Sequence, residues 1–109
     1  MKLEEKDKEI LRVLQKDGKI SLQSLAEAVN LSTSPCWRRV KRLEEGGLID
    51  RYVAILNPRK LGLHAQAYMH VSLLDHTEAT IEAFDRFVQN EEQITECCSI
   101  TGSNDYMLK

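Results

Sequence analysis

The stretch LSTSPCWRRVKRLEEGGLI, residues 31–49, predicts a helix that follows a cluster of small hydroxyl residues and ends at two glycines. Ser32 belongs to the residue types that cap helix N-termini, and Pro35 is tolerated in a first helical turn. Gly46 and Gly47 give this helix a C-terminal stop. The basic residues between them leave two interpretations: a helix that contacts DNA, or a helix whose basic face is simply solvated.

Two further helices are predicted on the N-terminal side of this stretch. Apolar residues at helical spacing mark the first helix over residues 3–16, and Gly18 follows it. Ser21 is an N-cap for the second helix, which ends near Asn30, a residue type that tolerates a left-handed turn. Three short helices with a tight turn between the last two form a helix-turn-helix arrangement, here at about residues 22–41.

A β-favouring segment, YVAIL at residues 52–56, follows the glycines and stops at an Asn-Pro pair. It predicts the β wing of a winged helix-turn-helix domain, which we assign to residues 1–60. Residues 61–109 then predict a strand over 67–73, an amphipathic helix capped by Asp75 or Thr77, a second strand over 94–101 and the start of a third. The predicted fold class is therefore α+β.

Charge is divided unevenly between these two modules. The net charge of the chain is −2, but residues 1–60 hold 13 of the 15 Lys and Arg and 9 of the 17 Asp and Glu. Residues 61–109 hold the other 2 basic and 8 acidic residues. A basic front module joined to an acidic one suggests different partners, and phosphate contact is expected of the basic module.

A helical-wheel projection of residues 33–45 separates two faces of the third helix. Thr33, Cys36, Val40 and Leu43 project toward the other helices, with Trp37 at the edge of that face as a packing residue. Arg38, Arg42 and Ser34 project outward, and Lys41 and Arg39 lie on the flanks. Arginine and hydroxyl groups near the start of such a helix suit base edges, and cations suit phosphates. The predicted DNA-binding residues are Ser32, Thr33, Ser34, Arg38, Arg39, Lys41 and Arg42.

Other classes of function have little support in the sequence. His64, His70 and His76 recur at a spacing that fits no metal site, and the cysteines have no C-x-x-C pattern. The three cysteines are expected to be buried reduced thiols. No catalytic constellation is recognisable, so we expect no enzyme activity, metal or cofactor. No apolar run approaches the roughly 20 residues of a membrane span, and the charged N-terminus resembles no signal peptide, so a cytoplasmic location is expected.

The chain resembles the Lrp/AsnC, or feast/famine, transcriptional regulators over nearly its whole length. The combination of LSTSPCWRRVKRLE with the downstream motif G-x-x-D-Y in GSNDY, residues 102–106, carries the resemblance. It implies a winged helix-turn-helix followed by a ferredoxin-like βαββαβ effector-binding and oligomerisation domain, present here only in part over residues 61–109. It also implies Gly102, Asp105 and Tyr106 as effector-binding residues, although Ser103 stands where the family usually has Asp.

The resemblance further implies a bacterial or archaeal, nucleoid-associated regulator that binds double-stranded DNA and responds to an amino acid or related small metabolite. Such regulators form homodimers that can assemble into octamers when full length. Family chains are longer, so the third strand is expected to be mostly missing and its two neighbours to lack their shared partner. The alternative function is a small-molecule sensor or protein-interaction module whose winged helix binds no DNA.

Overall fold

The three N-terminal helices are present in the computed structural model, which describes residues 2–109. They are α1 (Glu5–Lys16), α2 (Leu22–Ala28) and α3 (Thr33–Glu45). α1 begins later than the predicted residue 3, because Glu4 is its N-cap and the Glu4 backbone N–H bonds to the Asp7 carboxylate at 2.9 Å. The remaining two helices begin at the predicted caps.

The α2–α3 joint has the geometry of a tight helix-turn-helix. Asn30 has a φ of 57°, the left-handed conformation predicted for it. Leu31 packs partly buried against the core between the helices. α3 ends at Glu45, and Gly47 has a φ of 77°, which a glycine adopts without strain. The Lys6 ammonium also donates to the Val29 carbonyl at 2.6 Å, which ties α1 to the end of α2.

The core of this first unit is a single cluster to which all three helices contribute. Apolar positions at helical spacing bring these side chains to the common interface, where burial removes their surface from water. Burial also raises the pKa of the Cys36 thiol, which keeps it protonated and unreactive. The fully buried members are Ile10, Leu25, Ala26, Val29, Cys36 and Leu43.

The two predicted serine caps differ in the structure. The Ser21 hydroxyl accepts a hydrogen bond from the Ser24 backbone N–H at 3.1 Å, whereas Ser32 occupies the N-cap position of α3 without a side-chain capping bond. We expect Ser21→Ala to lower the free energy of unfolding by about 1 kcal/mol, because an orphan helix amide loses its partner. Ser32→Ala is the matched control and should cost clearly less. Equal losses in urea unfolding followed by circular dichroism would contradict this assignment.

The predicted wing strand is the main difference from the expected fold. Residues 51–56 have no helix or strand, and they form no backbone hydrogen bond with the described part of the chain. The β-branched side chains that favoured a strand are largely exposed, with Ile55 at 92% and Val53 at 64%. A strand exists only when another strand satisfies its backbone groups, and residues 2–109 offer no such partner here.

The second unit, which begins at Asn57, is a three-stranded antiparallel sheet with one helix. Its elements are β1 (Met69–Val71), α4 (Glu78–Asn90), β2 (Cys97–Ser99) and β3 (Tyr106–Leu108). Thr77, not Asp75, caps α4, since the Thr77 hydroxyl accepts from the Thr80 backbone N–H. The first residue of the unit, Asn57, comes a few residues before the boundary predicted at residue 60.

β3 lies between β1 and β2, so the shared neighbour expected to be missing is present. Leu108 pairs with both Met69 and Cys97, and three residues of β3 are enough to register the whole sheet. On one face of the sheet Tyr106 meets Phe84 of α4, with ring centroids 4.6 Å apart.

Cys97 and Cys98 are exposed free thiols, so the prediction that all cysteines are buried was wrong for these two.

Candidate functional site

The start of α3 presents the hydroxyl cluster predicted from the sequence. Ser32, Thr33 and Ser34 are all exposed. The wheel projection of Thr33 toward the core was wrong, because this first residue of α3 lies outside the apolar cluster. The N-terminal end of a helix offers unpaired backbone N–H groups, which together with hydroxyls favour an anionic partner such as phosphate.

Among the described residues, Arg38 is the basic residue of α3 without an acidic partner. It is exposed and forms no hydrogen bond or ion pair with any side chain in residues 2–109. It lines an open concavity together with Pro35, Arg39 and Arg42. An unpaired guanidinium has all its N–H donors available for a bidentate acceptor.

Arg39 and Arg42 both donate to a carboxylate that was not among the predicted site residues. Asp7 of α1 is 0% exposed and accepts from Arg39 Nη1 at 3.0 Å and from Arg42 Nη2 at 3.1 Å. Arg39 Nη2 also donates to Glu4 at 3.0 Å. Arg42 was predicted to project freely outward, but its long side chain reaches the neighbouring helix instead. The exposed fractions of the Arg39 and Arg42 side chains are 25% and 48%.

The Asp7 carboxylate is ionised in this environment. Burial alone raises the pKa of a carboxyl group, but the Glu4 backbone N–H and the guanidinium groups of Arg39 and Arg42 outweigh it, so the pKa of Asp7 lies below its ordinary value. The position of Asp7 in the sequence already indicated a buried, paired carboxylate. Asp7 falls on the apolar stripe of α1, one turn from Ile10, where a lone charge requires a partner.

Lys41 is also paired within α3. Its ammonium lies 3.3 Å from Glu44 and 5.7 Å from the centre of the Trp37 ring. Trp37 is 50% exposed, so it is less a packing residue than the wheel suggested. Of the four cations predicted to contact DNA, three therefore have acidic partners within residues 2–109, and Arg38 has none.

The turn that leads into β3 gathers the residues predicted for effector binding. Gly102 has a φ of 111°, which few other residues adopt. Asp105 accepts from the Leu73 backbone N–H at 2.8 Å and meets His76 Nε2 at 2.9 Å. The Leu73 bond and the His76 contact lower the pKa of Asp105. Each Asp105 oxygen thus has one hydrogen-bonding partner, and His76, which was not among the predicted site residues, lies beside this turn.

The segment after β1 is fastened to this turn by a second contact. The Ser72 hydroxyl donates to Asn104 Oδ1 at 2.8 Å. Tyr106 is half-buried against Phe84. The three predicted residues are therefore neighbours at one end of the sheet, although the side chains of Asp105 and Tyr106 already have partners.

No group of three or more His, Cys, Asp or Glu side chains in residues 2–109 is placed to hold a metal ion.

Comparison with known proteins agrees with both units. Residues 3–50 match the family described as winged helix-turn-helix DNA-binding, and residues 66–109 match the Lrp/AsnC ligand binding domain. The transcriptional regulatory protein DoeX of Halomonas elongata is 40% identical over 109 residues, covering 100% of this chain and 69% of DoeX. The leucine-responsive regulatory protein of Escherichia coli K12 is 42% identical over 103 residues, covering 94% of this chain and 63% of that protein.

A solved structure gives the same result. The transcriptional regulator NMB0573 of Neisseria meningitidis, in a crystal structure with L-Met, superposes with a TM-score of 0.93 at 38% identity, covering 98% of this chain and 69% of that one. A winged helix-turn-helix DNA-binding unit followed by an Lrp/AsnC ligand binding domain defines a DNA-binding transcriptional regulator and not an enzyme. The chain belongs to the Lrp/AsnC family.

Proposed function

We propose that α3 is the recognition helix and enters the major groove of duplex DNA, with Arg38 and Ser34 directed at base edges. The observation that carries this assignment is the Arg38 guanidinium, which is exposed on the second helix of the helix-turn-helix and has no acidic partner within residues 2–109. Arginine can chelate the N7 and O6 acceptors of guanine, and residues near the start of a recognition helix reach bases most easily. The exposed hydroxyls of Ser32 and Thr33 and the α3 amides then face phosphate.

Lys41 and Arg42 are the proposed phosphate contacts in the rest of the helix. Both side chains are nearly half exposed, so each can reach a phosphate while keeping part of its intramolecular pairing. Arg39 is the weakest of the predicted DNA contacts, because both of its terminal nitrogens are bonded to carboxylates. We assign Arg39 to the packing of α3 on α1.

The experiment for DNA binding is fluorescence anisotropy with a duplex from the region upstream of the protein's own gene and with a scrambled duplex of equal length. Binding constants measured over a range of salt concentrations should fall with salt, with a slope of about −0.9 per phosphate contacted. Tighter binding of the upstream duplex supports sequence-specific regulation. Absence of binding at low salt would favour the alternative of a winged helix that binds no DNA.

A homodimer is the proposed DNA-binding form. Val53, Ile55 and Leu56 are exposed apolar side chains that a second copy can cover, and their segment has no backbone hydrogen-bond partner within residues 2–109. Two copies would read two half-sites about one helical turn apart. Octamers are a further proposal for the full-length family assembly. No helix in residues 2–109 is both long enough and apolar enough for a membrane span.

A cytoplasmic, nucleoid-associated location is proposed from the winged helix-turn-helix DNA-binding match.

The proposed effector is an amino acid or a related small metabolite, bound by the second unit at the Gly102–Tyr106 turn. The Neisseria regulator of similar fold was solved with L-Met, which makes L-Met the first ligand to test. In this site Asp105 would hold residues 73–76 against the turn through its contacts with the Leu73 backbone N–H and His76.

We expect a bound amino acid to stabilise the chain by about 2.7 kcal/mol at a concentration of about 100 times its Kd. A thermal-shift screen of the amino acids measures this as a rise in Tm. Asp105→Asn should weaken the response, because the contact with His76 is reduced, whereas Glu82→Gln on the exposed surface of α4 makes the same charge change and should leave it intact. An unchanged response of Asp105→Asn would remove Asp105 from the site.

A further inference from the structure

Asp7 connects α1 to the recognition helix through charge. Its carboxylate is completely buried and is shared by two guanidinium groups of α3, with Arg39 Nη1 at 3.0 Å and Arg42 Nη2 at 3.1 and 3.2 Å from its two oxygens. Glu4, at the N-cap of α1, takes the second terminal nitrogen of Arg39 at 3.0 Å. Two cations of the DNA-facing helix are thus balanced by two carboxylates from outside it.

This pairing resists competition from DNA. A phosphate that removed Arg39 from Asp7 would leave a buried carboxylate with half of its cationic neutralisation, and an uncompensated buried charge is strongly unfavourable. Glu4 restrains the same guanidinium more weakly, because its side chain is 59% exposed and an exposed ion pair contributes little. Arg38, which has no acidic partner among residues 2–109, keeps its full charge for DNA.

We propose that Asp7 is a specificity-determining positioning residue, which withholds the charge of Arg39 and part of the charge of Arg42 from the DNA backbone and so keeps sequence-independent binding weak relative to binding through Arg38. The inference rests on the proposed function of α3 as a DNA-recognition helix. Sequence-independent affinity grows with the number of cations that can reach phosphates, whereas base readout depends on the few groups at base edges. Neutralising Arg39 and Arg42 therefore raises the ratio of specific to non-specific binding.

The test is the salt dependence of binding to a scrambled duplex by wild type, Asp7→Asn and Glu5→Gln. Asp7→Asn removes the charge while keeping an oxygen for the Glu4 N–H, and it frees Arg39 and Arg42. Glu5→Gln makes the same change in net charge on α1, but within residues 2–109 Glu5 pairs only with Lys8. We expect the slope for Asp7→Asn to steepen by about one to two units and its affinity for the scrambled duplex to rise on the order of tenfold.

A residue that only stabilised the fold would not give this result, because its loss would weaken DNA binding. Equal slopes for Asp7→Asn and Glu5→Gln in a wild type that binds DNA would overturn the inference and leave the proposed function standing. A wild type that binds no duplex at low salt would overturn the proposed function and the inference with it. Fluorescence anisotropy at several salt concentrations separates these outcomes.

Glu4→Gln provides the same test should Asp7→Asn fail to fold. This change frees one terminal nitrogen of Arg39 at an exposed site, so Tm should stay near that of wild type. We expect its slope to exceed that of Glu5→Gln by a fraction of one unit. A slope indistinguishable from that of Glu5→Gln would overturn the inference.

Discussion

Arg38→Ala is expected to reduce the ratio of specific to scrambled-duplex affinity by about 10- to 100-fold, since a bidentate arginine–guanine pair contributes about 1–3 kcal/mol of discrimination. Arg38 is the cation of α3 whose donors are all free within residues 2–109, so no other side chain of the helix is placed to substitute for it. Competition anisotropy with the two duplexes measures the ratio directly.

Two control variants separate base readout from simple loss of charge. Lys41→Ala should weaken both duplexes and reduce the salt slope by about one unit, leaving the ratio nearly unchanged, because phosphate contacts carry no sequence information. Arg12→Ala removes one cation from the exposed surface of α1 and should alter neither quantity. A ratio that Arg38→Ala leaves intact would assign base readout to another residue.

The double variant Arg39→Ala, Arg42→Ala is expected to lower the free energy of unfolding by about 3–5 kcal/mol at neutral pH. It leaves the Asp7 carboxylate, which is 0% exposed in the wild type, with the Glu4 backbone N–H as its one remaining donor among the described residues. The matched control is Arg12→Ala, Lys19→Ala, which removes two cations without touching Asp7. Urea unfolding followed by circular dichroism measures both variants. Equal losses in the two would show that Asp7 is stabilised by something other than these arginines.

The same variant should reverse the pH dependence that Asp7 gives to stability. In the wild type the folded pKa of Asp7 is lowered, so its contribution is present above the unfolded value of about 3.9 and is lost as pH falls through the folded pKa. Without the two guanidinium groups, burial dominates and raises the folded pKa. The contribution is then present below about pH 3.9 and lost as pH rises. The stability difference between the two proteins should therefore shrink on acidification.

Much of the fold follows from local sequence signals. The helices of the first unit, the Ser21 cap, the left-handed Asn30 and the glycine stop after Glu45 all lie where periodicity and capping rules predict them. These features are predictable because each depends on residues within a few positions along the chain. The second unit was predicted in outline, but its strands are shorter than their alternating patterns suggested.

The wing segment shows where local signals are insufficient. Tyr52, Val53 and Ile55 have strong β propensity, yet residues 51–56 form no strand. β propensity describes how well a side chain fits a half-buried pleated surface, and such a surface requires a neighbouring strand. The existence of that neighbour is a tertiary or quaternary property, which a single stretch of sequence does not encode.

The sequence by itself determined that α3 is a basic amphipathic helix at the end of a helix-turn-helix, because helical periodicity places its residues on faces whatever surrounds them. Only the tertiary structure decided which of its cations are available to DNA. Asp7 lies 32 positions from Arg39 along the chain, and their 3.0 Å contact exists because α1 packs beside α3. Long side chains pair with whatever charge the fold brings within reach, so Arg39 and Arg42 turn toward Asp7 while Arg38 stays free.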